Sequence, residues 1–208
     1  MRLNNPLNKI LNSETKIKTL RLFCSGVGES TGRQIAKLLN VAQSPVQIAL
    51  ADLYNEGILD RKTFGKAFAY GLNSKNWLVE TALKPMFRIE KEYQPKLWGK
   101  IRQSLEEAGF LKEILSVCLF GSVRSGQERP TSDIDLLVII KNNARKQFIE
   151  DLFINMNRSV IEETGMNLDA HIYSASELKD MVADGVSFIK EAMPSGAIII
   201  GKSLEDCL

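Results

Sequence analysis

Ile114 to Phe120 is an apolar run that delivers the chain into Gly121-Ser122-Val123-Arg124-Ser125-Gly126; ten residues separate Ser122 from the next stretch, Asp133-Ile134-Asp135-Leu136-Leu137-Val138-Ile139-Ile140. The first run has the length of a buried strand, and a strand ending in Gly-Ser suits phosphate handling. Glycine lets a phosphate approach the backbone, and a serine hydroxyl and the amides of a following helix donate to it. Taken alone, Ser122 would serve equally as a helix cap. The second run adds the decisive chemistry. Strand side chains alternate faces, so Asp133 and Asp135 are expected on one face while Ile134 enters the core. Like charges held that close repel unless a cation or a proton relieves them, and Mg²⁺ is a natural oxygen-seeking ligand for such a pair.

Asn167-Leu168-Asp169-Ala170-His171-Ile172-Tyr173 reads as a third strand with alternating polarity, which sets Asp169 and His171 on one face. Beside the Asp133 strand it would bring a third carboxylate. Three carboxylates around a Gly-Ser phosphate loop describe a nucleotidyl-transfer site working with metal ions. His171 reads as a carboxylate partner on the strand face rather than a catalyst, and Arg129 as a screen for the acidic strand. Ala197 to Gly201 is expected to form a further core strand, and a helix is expected from about Pro95 to Lys112 with Leu97, Ile101, Leu105 and Ala108 on one side.

Gly121-Ser122 followed by Asp133-Ile134-Asp135 and a later strand aspartate resembles the minimal nucleotidyltransferases of the DNA polymerase beta-like superfamily. The resemblance spans roughly residues 95–203. It implies an α/β (α+β) domain with a short mixed β-sheet and nucleotide binding through Gly121 and Ser122, with Arg124 and Ser125 in the same loop. It also implies Asp133, Asp135 and Asp169 as catalytic metal ligands for Mg²⁺ (or Mn²⁺) with an NTP substrate. Many relatives read Gly-Ser-x-Ala-Arg-Gly, whereas here the loop reads Arg124-Ser125-Gly126, one position displaced.

The front of the chain has a different character. Ile17, Leu20 and Phe23 share a helical face ahead of Gly26 and Gly28. Thr31 and Gln34 form a capping-box pattern before Ile35, Leu38 and Leu39, and Ser44 with Gln47 repeats it, with Pro45 at the expected first helical position. Val46, Ala49, Leu50 and Leu53 then face inward, leaving Gln43, Ser44, Gln47 and Ala51 outward. Ile58 to Lys62, a turn over Thr63 to Lys66, and Ala67 to Leu72 read as a hairpin carrying Arg61, Lys62 and Lys66. Three helices and a basic hairpin resemble the winged-helix DNA-binding family. The resemblance implies that Ser44 and Gln47 meet base edges in duplex DNA while Arg61, Lys62 and Lys66 meet phosphates; the alternative is a docking or dimerisation module.

Charge agrees with that division. The 208 residues carry 27 basic and 25 acidic side chains, yet residues 1–76 hold eleven basic and five acidic, leaving sixteen basic and twenty acidic behind them. The expected organisation is a winged helix over 1–74, a helical linker over 75–94, kinked near Pro85, and a nucleotidyltransferase domain over 95–208. Cys24, Cys118 and Cys207 are far apart with one histidine in the chain, which excludes a zinc or disulfide framework, and no apolar run reaches membrane-spanning length. A cytoplasmic protein is expected. Small relatives of this kind resemble antitoxins that add AMP to a partner toxin, and others resemble enzymes that modify small-molecule hydroxyls such as those of aminoglycosides; a DNA-binding front favours the former and fits regulation of transcription, as antitoxins commonly control their own operon. A homodimer is a further expected partner. The alternative function is a transcriptional regulator that senses nucleotide without turnover.

Overall fold

The computed structural model describes residues 2–65 and 67–208, and the chain divides into two compact units, Met1–Gln94 and Pro95–Leu208. The first is built of α1 (Leu7–Ile10), α2 (Glu14–Cys24), β1 (Ser30–Thr31), α3 (Gly32–Leu39), α4 (Gln43–Asn55), β2 (Leu59–Phe64) and β3 (Ala67–Leu72). Its small sheet has the order β1-β3-β2, antiparallel throughout, with β2 and β3 forming a hairpin from Leu59↔Leu72 to Phe64↔Ala67. Three helices on a strand-and-hairpin sheet are a winged-helix fold. Leu20, Phe23, Ile35, Val46, Leu50 and Leu53 fill the core, as the helical spacing requires.

The capping pattern holds once and fails once. Thr31 Oγ1 accepts from the Gln34 amide while the Gln34 side chain accepts from the Thr31 amide, a complete capping box. Ser44 makes no such cap. The helix starts a full two residues before Pro45, with Ala42 in extended backbone as an N-cap lacking any side-chain bond. Pro45 is then the third helical residue, where the amide still has no intrahelical carbonyl to reach, so a proline there loses no bond.

Residues 75–94, expected as a linker, also complete the first core. A π-helical turn over Val79–Leu83 leads into α5 (Lys84–Glu107), and Leu78, Val79, Leu83 and Phe87 are buried with the three-helix core. Near Pro85, where a kink was expected, the π turn hands over to α5, and Pro85 is the second residue of that helix. The helix expected to begin at Pro95 is the second half of α5, which runs through Pro95 and ends at Glu107.

The second unit continues with β4 (Ile114–Leu119), α6 (Gly121–Ser125), β5 (Ile134–Ile140), α7 (Lys146–Thr164), β6 (Leu168–Ser174), α8 (Ala175–Ala183), α9 (Ser187–Ser195) and β7 (Ala197–Gly201). The sheet is mixed, with order β6-β5-β4-β7: β5 pairs antiparallel with β4 and parallel with β6. Central β5 reads as an unbroken apolar run because both its faces are covered. Leu136, Val138 and Ile140 pack with Ile101, Leu105, Ile149 and Phe153 on one face, and Leu137 and Ile139 pack with Leu178, Ile189 and Ala192 on the other. Among the described residues, no helix is long and apolar enough to cross a membrane.

Candidate active site

Parallel pairing of β5 with β6 puts Asp135 directly opposite Asp169 and Leu137 opposite His171. Period-two alternation then points Asp135, Asp169 and His171 to the α8–α9 face of the sheet. Their donor atoms all lie within 4.8 Å of one another, and His171 Nε2 stands 3.4 Å from Asp169 Oδ2. Two carboxylates and an imidazole so close make a set that a divalent cation fits.

The strand arrangement also brings the glycine loop to this cluster. The Phe120 amide donates to the Asp135 carbonyl at 3.1 Å, and the chain turns at Gly121 with φ +70° into α6. A Cβ built on Gly121 would collide with Asp135 Oδ2, so the absent side chain is the space that the carboxylate occupies. Ser122 follows in the first turn of α6, and its carbonyl accepts from the Ser125 hydroxyl at 3.1 Å. Arg124 lies in the same short helix.

Asp135 is held above the usual carboxylate range, first by its burial and then by the charges of Asp169 and Asp133, with His171 opposing and Glu191 of α9 adding to the effect. Asp133 was expected on the strand beside Asp135. It stands exposed, one residue before β5 begins, and is not among the clustered donors, although its charge reaches Asp135. His171 takes the place in the cluster that the sequence pattern assigned to Asp133. Its ring also sits in an aromatic group, 5.9 Å from Phe120 and 5.4 Å from Phe188 of α9. Glu191 and Phe188 had no signal in the sequence, since only the packing of α9 brings them here.

The other expected site lies in the first unit. Ser44 and Gln47 are exposed near the start of α4, and the Gln47 amide folds over Gly32, where a Cβ would strike it. Arg61 is not a free cation. Its guanidinium is stacked between Tyr54 at 4.4 Å and Phe68 at 4.2 Å from the ring centroids. Lys62 is ion-paired with Glu29, which raises the lysine's pKa. Lys66 lies outside the described residues. A cleft of about 400 Å³ opens between Gln43, Gln47, Gly32, Arg33 and Phe68. Arg33, which carried no signal in the sequence, is exposed there with no ion pair among the described residues.

Residues 100–199 match the family model for the nucleotidyltransferase domain. This segment is a nucleotidyltransferase domain. The nucleotidyltransferase unit therefore contains β4 through most of β7 and every residue of the Asp135 cluster. Several solved structures are similar to the front part, and one of them is described as a winged helix-turn-helix DNA-binding domain. This one is the homodimeric DNA-binding domain of Mb0332 from Mycobacterium bovis, 17% identical, covering 42% of this chain and 77% of that one at TM-score 0.35. Another is reduced HlyU from Vibrio cholerae, 21% identical over 42% of this chain and 85% of that one at TM-score 0.34. RV1404 from Mycobacterium tuberculosis is 16% identical over 50% of this chain and 80% of that one at TM-score 0.34. No curated protein sequence matches the chain.

Proposed function

We propose that the second unit transfers a nucleoside monophosphate, AMP foremost, from an NTP to a hydroxyl acceptor, and that the first unit binds duplex DNA. The reading rests on one observation: Asp135 and Asp169 are register partners across β5 and β6, and Gly121 is shaped to the Asp135 carboxylate. Asp135, Asp169 and His171 would hold Mg²⁺ or Mn²⁺, with Asp133 close enough to add its charge. A divalent ion there supplies Lewis-acid chemistry, offsetting the charge of the phosphates and easing loss of the acceptor's proton.

The remaining work falls to the chain. Gly121 makes room for the Asp135 carboxylate beside the loop, and the Ser122 hydroxyl and Arg124 would donate to the triphosphate, joined by the Ser125 hydroxyl once it leaves the Ser122 carbonyl. The acceptor oxygen forms a bond to the α-phosphorus, the bond from that phosphorus to the β-phosphate bridge breaks, pyrophosphate leaves and the acceptor's proton passes to water. Attacking and leaving oxygens stand in line in such a transfer. A partner toxin protein is the acceptor that the family resemblance suggests. On DNA, Ser44 and Gln47 would meet base edges and Arg61, Lys62 and Arg33 would meet phosphates. The Lys62–Glu29 pair is fully exposed and solvent-screened, so exchanging the glutamate for a phosphate costs little.

Nucleotide sensing without turnover is the second reading, favoured by Asp133 standing outside the donor cluster. The experiment incubates the full chain with Mg²⁺ or Mn²⁺ and each α-labelled NTP in cell lysate. Pyrophosphate release with label on an acceptor is the expected result. Tight NTP binding with no pyrophosphate under either metal would establish the sensor instead.

A further inference from the structure

Resting on the transfer reading above, we infer that the acceptor is a polypeptide that docks in extended form as an added strand on the free edge of β6, presenting a side-chain hydroxyl to Asp169. The position of β6 in the sheet carries the argument. Among the described residues it is an edge strand, pairing with β5 alone. The Ile134 amide donates to the Asn167 carbonyl, which fixes the alternation of a parallel ladder: residues 167, 169, 171 and 173 bond to β5, and 168, 170, 172 and 174 direct their backbone groups to the open side.

That open edge is closed at both ends by side chains. The Leu168 amide donates to Asn157 Oδ1 at 2.8 Å, and the Ser174 amide donates to Glu177 Oε2 at 2.6 Å. Between them, the amides and carbonyls of Ala170 and Ile172 have no partner among the described residues. An uncovered pair of donors and acceptors on a sheet edge is complementary to one thing above all, another extended backbone. The gap admits a short segment and no more.

The surroundings define what such a segment carries. A groove of about 310 Å³ runs along the edge, walled by Gln147, Glu150 and Ile154 of α7 and by Ala170 and Ile172 of β6. Ile154 is 69% exposed, an apolar side chain left for a partner to cover. Glu150 is half-buried in the groove wall with no counter-ion among the described residues, which favours a lysine or arginine in the guest. Successive side chains of an added strand alternate faces, so one residue would enter this groove and the next would stand on the Asp169 face. The guest is thus a hydroxyl residue with a basic or aliphatic neighbour.

The order of groups across the sheet agrees with in-line transfer. Gly121 and Ser122 follow β4, Asp135 lies on β5 and Asp169 on β6, so the open edge is on the opposite side of the carboxylates from the phosphate loop. Triphosphate enters from one side and leaves as pyrophosphate toward it; the hydroxyl oxygen attacks the α-phosphorus from the other, forming the phosphodiester and releasing its proton to water.

The test supplies the full chain with Mg²⁺ or Mn²⁺, α-labelled NTPs and a library of octapeptides having one central Ser, Thr or Tyr and randomised flanks, with glycerol as a small hydroxyl control. Library members should take up label, with Lys or Arg enriched beside the hydroxyl residue. N-methylation of the peptide amides on one edge should abolish labelling and on the other leave it intact. Ala170→Pro removes no ladder bond, because that amide faces outward, yet it blocks strand addition. It should lower peptide labelling by about tenfold or more, as expected for about two lost backbone hydrogen bonds, while transfer to glycerol is kept. Glu150→Lys should invert the flanking preference to acidic residues. Labelling indifferent to N-methylation and to Ala170→Pro overturns strand docking, as does transfer to glycerol with no peptide labelled. Absence of transfer to peptide, glycerol and water alike overturns the nucleotidyl-transfer reading itself.

Discussion

Replacing Gly121 by alanine sets a methyl group against the Asp135 carboxylate and asks a residue with a Cβ to hold a φ of +70°. Asp135 has to swing away, so Gly121→Ala should lose transfer on the order of a hundredfold with a measurable fall in Tm. Asp135→Asn separates the two effects. Asp169 and Asp133 push against the Asp135 charge, and its removal relieves that repulsion. This variant should match or exceed the wild type in Tm while transfer drops by about a hundredfold or more, as read by pyrophosphate release. A destabilised, active Asp135→Asn would remove the carboxylate from the chemistry. At this scale Asp135, Asp169 and Gly121 were legible because strand alternation and a glycine before a helix are local signals. Asp133 and His171 exchanged places in the cluster for a reason that local pattern does not contain. The strand begins one residue later than the motif suggests, and parallel pairing carries His171 next to Leu137, within reach of Asp135.

The start of α3 was legible because Thr31 and Gln34 bond each other's amides there, whereas the equally complete box of Ser174 and Glu177 at the start of α8 was not read, and α4 shows the same pattern without the bonds. Ser44-Pro45-Val46-Gln47 satisfies the capping-box pattern in sequence, but the box needs its first residue in extended backbone, and Ala42 holds that conformation. Three substitutions follow from this. Thr31→Ala should cost about 1 kcal/mol in urea unfolding, since it breaks the observed box, and Ser44→Ala should cost almost nothing. Ala42→Asp should stabilise by roughly 0.5–1 kcal/mol by giving α4 the cap and the first-turn negative charge it lacks. A large loss on Ser44→Ala would place the helix start where the sequence pattern alone puts it. The passage of α5 through Pro95 has a similar origin: a proline reads as a helix start, but a helix long enough to bury Phe87 in one core and Leu97, Ile101 and Leu105 in the other tolerates one missing bond at the boundary between them.

For the whole molecule, the basic surplus at the front of the chain is distributed differently from what the sequence suggests, with Arg33 exposed alongside Arg61 and Lys62. The first unit's surplus of cations is partly spent on ion pairs: Lys16 with Asp52, Arg21 with Glu90, Arg2 with Glu56 and Lys62 with Glu29. Arg33, exposed beside Gln43 and Gln47, has no ion pair among the described residues, and Arg61 is oriented by its two aromatic neighbours. A guanidinium clamped between rings loses little further freedom on meeting a phosphate, so the stack pre-organises it. If the first unit reads DNA, affinity of the full chain for duplex should fall with rising salt, with a log–log slope of about −0.9 for each phosphate neutralised. Arg33→Ala and Lys62→Ala should each flatten that slope by about one such increment across all sequences. Gln47→Ala should leave the slope alone and change which sequence is preferred, because an amide carries no charge to release counterions and contacts base edges. Fluorescence anisotropy on a panel of duplexes at several salt concentrations reads both quantities together. Affinity for no duplex at low salt would leave the hairpin and its stacked Arg61 as a protein-docking surface.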